Sequence, residues 1–182
     1  LGTVPAVLAG LVLERHIEEM FYRETDTVWI IGILLALFGL FLLLGELFGR
    51  KERGEDAIGY RDALLIGVAQ AFAIIPGVSR SGVTILAALL VGLTRPAAAR
   101  FSFLLGTPVI AGAALLTMGD LHVADLSLPL FIGILTSAVT GILAIKVLLK
   151  WVQHRSYGVF VYYRWLLAAV VLVVYYLRST QG

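Results

Sequence analysis

The stretch Pro76-Gly77-Val78-Ser79-Arg80-Ser81-Gly82-Val83-Thr84 concentrates polar chemistry inside an apolar segment. Arg80 lies far from the basic loops, and no Asp or Glu occurs between Asp62 and Asp120. A guanidinium at membrane depth costs several kcal/mol, with estimates starting at about 2.5. A distant acid, backbone carbonyls or an anionic ligand must compensate it. Ser79, Ser81 and Thr84 add hydroxyl donors. Gly77 and Gly82 let the backbone turn and approach a ligand closely. Pro76 can end one half-helix and lacks an amide donor. A second half-helix starting near Ser81 and Gly82 would turn its amides and positive dipole end toward the same spot. A guanidinium, several hydroxyls and a helix N-terminus are the parts of a phosphate site, because the planar fork of Arg matches phosphate oxygens bidentately. The plainer alternative is an arginine tied to carbonyls that only holds the turn together.

The surrounding chain must place this stretch in a membrane. Of 182 residues, 60% are hydrophobic and 14% charged; an ordinary soluble domain carries about 25% charged residues. Mean hydropathy is +0.96. This excludes a disordered chain, a water-soluble enzyme and a nucleic-acid module with a basic face. No nucleic-acid partner is expected; the membrane is. The absence of cysteine excludes disulfides and thiolate metal sites. The expected class is an all-α, polytopic integral membrane protein. Apolar spans are expected over 28–47, 97–118, 128–149 and 159–177. The apolar run 1–13 reads as the end of a helix whose beginning is absent, followed by a polar stretch over 14–26.

The segment 62–93 is apolar but broken at Pro76–Gly82, and each half is too short to cross a bilayer core of about 30 Å. It is either one kinked span or a re-entrant hairpin. Loop charges separate the two by the positive-inside rule. With the 49–61 loop (Arg50, Lys51, Arg53, Arg61) in the cytoplasm, a hairpin returns Arg95 and Arg100 to that side. Lys146, Lys150 and Arg155 then also fall inside, and the acidic 14–26 and 119–125 segments outside. The hairpin reading fits every loop.

With these residues in view, the chain resembles the bacitracin-resistance family of undecaprenyl pyrophosphate phosphatases. The likeness rests on Pro76–Thr84, Gln70, Phe101-Ser102-Phe103-Leu104-Leu105, Pro108 and Tyr163-Arg164. It implies a multi-pass enzyme of the bacterial plasma (inner) membrane that converts undecaprenyl pyrophosphate to undecaprenyl phosphate and phosphate, recycling the cell-wall lipid carrier and conferring bacitracin resistance. It implies a fold of two inverted repeats, each with a re-entrant hairpin, of which this chain would be the C-terminal part. Arg80 would contact the pyrophosphate, with Ser79, Ser81 and Thr84 as active-site hydroxyls. From their own positions Gly77 and Gly82 read as lining the substrate, and Gln70 either hydrogen-bonds it or ties the hairpin. A divalent cation, magnesium or calcium, would bridge the phosphates, though this chain shows no ligands for it. The family's glutamate-rich motif and Pro-Val-Ser-Ser-Thr-Gly-His stretch do not occur here. They supply acids, a histidine and a proposed serine nucleophile, so the chain alone is expected to hold about half an active site.

Other polar residues have plainer readings. His16, His122 and His154 fall in expected loops without metal spacing. Glu14, Glu18 and Glu19 read as a solvated turn rather than a cation site. Leu86 stands where a type-2 acid phosphatase pattern requires histidine. Arg164 is expected to snorkel to the interface. Tyr22, Trp29, Trp151, Tyr162, Tyr163, Tyr175 and Tyr176 read as an aromatic belt. Glycine spacings suggest close helix packing, with a homodimer face as one use. A lipid-phosphate transporter or flippase with an anion site at Arg80 is the competing function, since broken helices also mark transporters. A scaffold that binds no pyrophosphate lipid is the third.

Overall fold

The computed structural model describes residues 1–22, 27–119 and 127–180. Seven α-helices carry them: α1 Val4–Tyr22, α2 Val28–Phe48, α3 Tyr60–Ala71, α4 Arg80–Leu90, α5 Arg95–Met118, α6 Leu128–His154 and α7 Gly158–Ser179. Among the described residues the only β pairing is an isolated bridge between Arg53 and Leu93. Helices α2, α5, α6 and α7 are long and apolar enough to cross a membrane. The chain is an all-α, multi-pass membrane protein.

The helix ends differ from the apolar spans where helix and span mean different things. Helix α6 continues past the apolar stretch to His154, because charged residues leave the hydrocarbon without leaving the helix. The same reason corrects the reading of the N-terminal region. Helix α1 does not end near Leu13 but runs to Tyr22, since residues 11–22 contain no Gly or Pro and are rich in good helix formers. His16 is therefore an exposed helical residue, not a loop residue. The side chains of Glu14, Glu18 and Tyr22, together with residues 23–26 and 120–126 (His122 included), lie outside the described residues.

Glycines set the helix spacing. Along α2, Gly32 meets Leu172 and Gly39 meets Trp165, so α2 and α7 run antiparallel. A Cβ at either glycine would lie 2.9 Å from its neighbour. The indole of Trp165 donates to the Ala36 carbonyl at 3.1 Å. Gly45 faces Leu86 of α4, where a Cβ would come within 2.7 Å. Small residues permit this approach, which is how helices gain packing in lipid. These α2 glycines are spent within the chain, whereas Gly133 and Gly141 of α6 meet nothing within 4 Å.

Helices α3 and α4 form a hairpin around the break. A 3-10 turn at Phe72–Ile74 leads into Gly77, whose φ of 90° favours glycine. One guanidinium closes the open end. Arg53 donates to both carboxylate oxygens of Asp62, at 3.1 and 2.7 Å, and to the Val91 carbonyl at 2.9 Å. The start of α3 and the end of α4 therefore lie together. Arg53, helped by the Gly59 amide, holds the Asp62 carboxyl below the usual carboxylate range. Nearby, Arg95 pairs with Glu46 at the end of α2, and the Tyr157 hydroxyl donates to the Arg95 carbonyl at 3.0 Å. The closed end of the hairpin is distant from these ties. A Cβ at Gly77 would lie 2.9 Å from the Ile31 carbonyl of α2. Ile31 precedes Glu46 by fifteen residues, about 22 Å of helix at about 1.5 Å per residue.

Candidate functional site at the helix break

Ser79 caps α4, its hydroxyl accepting from the Gly82 amide at 3.2 Å. The cap fixes the first turn of α4, and helical geometry then divides the motif. Residues two apart on a helix point roughly 200° apart. Arg80 and Gly82 consequently face opposite sides, and the residues read together in sequence serve two surfaces.

Arg80 faces α5. Its Nη1 donates to the Gly106 carbonyl at 3.3 Å, and a Cβ at Gly106 would lie 2.9 Å from Arg80 Cζ. Glycine at 106 thus makes room for the guanidinium. Among the described residues no carboxylate pairs with Arg80. Of the three ways to compensate its charge, the structure supplies a backbone carbonyl. The guanidinium borders a cavity of about 670 Å³ shared with Gln70, Ala73, Gly10, Pro108 and Gly112. Gln70 is 3% exposed, and neither its Oε1 nor its Nε2 has a protein partner. A buried amide without partners costs about 1–3 kcal/mol. Gln70 and Arg80 therefore form the polar part of an otherwise apolar cavity. A larger cavity, about 960 Å³, lies beside Gly2, Glu55, Tyr60 and Leu105 and touches no residue of the break.

Ser79, Ser81 and Gly82 face the other way, toward α2 and α7. The two serine hydroxyls are 3.4 Å apart and line a second cavity of about 280 Å³ with Arg164. Arg164 does not snorkel. It is 7% exposed, and its Nη2 donates to the Gly77 carbonyl at 3.0 Å. The side chain runs inward to the break because the turn offers an acceptor there and Gly82 leaves space beside Nη1. Sequence reasoning missed this residue as part of the site. Its one signal was a charge inside an apolar span.

Thr84 is also reassigned. It is wholly buried, donates to the carbonyls of Arg80 and Ser81 at 2.9 and 3.2 Å, and lies 2.6 Å from the Ser102 hydroxyl. With its single proton used on the backbone, Thr84 accepts from Ser102 and ties α4 to α5. Position 84 follows Arg80 by one helical turn, which puts both on the α5 face. Ser102, noted only within the Phe101–Leu105 stretch, is its partner. Among the described residues no three His, Asp or Glu side chains converge.

The family described as bacitracin resistance protein BacA matches residues 1–170. The chain belongs to that family. It is 50% identical over 182 residues to a protein of Geobacter sulfurreducens named undecaprenyl-diphosphatase, covering 97% of this chain and 66% of that one. It is 44% identical over 177 residues to a protein of the same name from Moorella thermoacetica, covering 97% and 66%. A third, from Pelobacter propionicus, is 47% identical over 179 residues, covering 95% and 64%. The chain thus spans just under two thirds of the length of these curated relatives.

Proposed function

We propose that this chain forms part of an undecaprenyl-diphosphatase of the bacterial plasma membrane. The observation that carries the reading is Arg80: a guanidinium at the closed end of a helix hairpin, held by one carbonyl and, among the described residues, by no carboxylate, lining one cavity with the amide of Gln70, which has no partner among them either. Family membership and the shared name of the relatives supply the substrate class, a polyprenyl pyrophosphate lipid. In the proposed reaction water, directly or after a protein nucleophile, supplies an oxygen to the terminal phosphorus, the bond from phosphorus to the bridging oxygen breaks, and the bridging oxygen leaves with the lipid phosphate. Inorganic phosphate and the lipid monophosphate result. Arg80 binds phosphate oxygens and neutralises charge as it gathers on the leaving group. Gln70 donates an amide hydrogen to the same headgroup. The capped first turn of α4, with Ser79, Ser81, Gly77 and Gly82, fixes where Arg80 stands. The attacking and proton-transferring groups belong to the glutamate-rich and Pro-Val-Ser-Ser-Thr-Gly-His segments of the family, outside this chain.

The hairpin enters and leaves the membrane on one side in this reading, with the basic 49–61 loop cytoplasmic. The common position of the start of α3 and the end of α4 at Arg53 supports it. The test is phosphate release from undecaprenyl pyrophosphate in detergent by the complete protein. Arg80→Ala is expected to lower release at least about hundredfold with an unchanged melting temperature, since losing one transition-state donor costs about that much. Wild-type turnover in this variant would remove Arg80 from the reaction. Lipid binding without phosphate release from the unsubstituted protein would favour transport instead.

A further inference from the structure

Pro76 and Gly77 are the central residues of a turn closed by the Val78 amide, which donates to the Ile75 carbonyl at 3.1 Å. With Gly77 at φ 90°, this is the pattern of a type II turn. The peptide unit joining Gly77 to Val78 is planar and moves as one body. Its amide is held inside the turn, and its carbonyl is held from outside by Arg164 Nη2 at 3.0 Å. The other limb of the same guanidinium reaches past the turn. A Cβ at Gly82 would lie 2.8 Å from Arg164 Nη1. One fork from α7 therefore brackets 77–82, the segment from which Arg80 projects. Arg164 is itself buried, on a helix seated against α2 at Gly32 and Gly39.

The head of Arg80 is held less firmly. Its one bond, 3.3 Å to the Gly106 carbonyl, is just beyond the usual range of about 2.7–3.2 Å. Where the Arg80 guanidinium stands is thus set mainly by the backbone that carries it. That backbone is fixed on one side by the Ser79 cap and on the other by the turn, which Arg164 ties to α7. Arg164 does not line the cavity that Arg80 borders. We propose that Arg164 is a positioning residue: by holding the Gly77 carbonyl it fixes the break in the arrangement from which Arg80 meets the phosphate. The inference rests on the hydrolytic reading above and adds to it a residue that acts through the backbone, not on the substrate.

The test measures kcat and KM for phosphate release from undecaprenyl pyrophosphate by the complete protein in detergent. Hydrogen exchange over 76–84 is followed beside it by mass spectrometry. Arg164→Met keeps an apolar stem and loses the donors. It is expected to lower kcat per folded molecule roughly tenfold or more with KM within about twofold, since a misplacement of about 1 Å costs up to about hundredfold. Exchange over 76–84 should quicken. In an Arg80→Ala background the same substitution should change little, because the group it positions is gone. Arg164→Gln, too short to reach the carbonyl from the same backbone, takes its place should Arg164→Met melt early. Wild-type kcat per folded molecule in both variants would overturn the proposal and leave Arg164 a purely structural tie. Unchanged exchange over 76–84, or losses that multiply in the double variant, would overturn it as well. Failure of the hydrolytic reading would show separately, as absent phosphate release from the unsubstituted protein, with exchange still reporting whether Arg164 holds the turn.

Discussion

Two groups of arginines occupy the two ends of the hairpin, and the protein treats them differently. At the open end Arg53 meets Asp62, Arg95 meets Glu46 and Arg100 meets Glu55. At the closed end Arg80 and Arg164 meet the carbonyls of Gly106 and Gly77. A carboxylate cancels a guanidinium charge, whereas a carbonyl supplies only a dipole. The open end is electrostatically settled and holds helices together. Among the described residues no carboxylate meets either guanidinium of the closed end.

Exchanging the roles of the two ends is the strongest way to break this comparison. Removing Arg80 should lower turnover at least about hundredfold and spare the fold; the open end should behave in reverse. Glu46→Gln leaves Arg95 without its carboxylate. Breaking a fully buried pair costs about 3–5 kcal/mol. Arg95 is 34% exposed, so a loss nearer about 2 kcal/mol is expected after allowing for solvent screening. Thermal melting in detergent should show it, while phosphate release per folded molecule persists. A drop in release at unchanged melting temperature would erase the distinction between the ends.

Thr84→Val sharpens the boundary of the closed end. It removes the acceptor for Ser102 and should cost about 1–2 kcal/mol of stability, with phosphate release within about twofold of wild type. The opposite pattern would return Thr84 to the ligand. A smaller effect belongs to Asp62. Its carboxyl is held below the range of the unfolded chain, so the Arg53 pair contributes fully above about pH 4. That contribution disappears as pH falls through the depressed folded value. Asp62→Asn should lower the melting temperature slightly in the neutral region, where the pair contributes, change it little in acid, and so flatten the acid limb of the profile. Arg100→Ala should do least, within about 0.5 kcal/mol, because Arg100 and Glu55 are each 47% exposed.

Membrane class, the four long spans and the broken segment were legible in the sequence because each depends on local quantities: apolar length, charge placement, and the Pro and Gly of the break. Arg80 stood out for the same reason, as a charge without an acid nearby in the chain. The end of α1 was misjudged because hydropathy reports what lipid accepts, whereas a helix continues wherever backbone and propensity allow.

The division of the site could be anticipated only in part. Helical periodicity alone separates position 80 from position 82, but it does not say what lies on either side. Three tertiary facts decided that: α5 brings Gly106 and Ser102 to one face, α7 brings Arg164 to the other, and α2 closes over Gly77. Thr84 thereby meets Ser102 of α5, and Arg164 meets the Gly77 carbonyl across 87 residues. Residue type and spacing determined that a cation with no acid near it in the chain stands at a helix break in an apolar segment. Which groups share each side of that break depended on helices remote in sequence, because a guanidinium is compensated by what is near it in space.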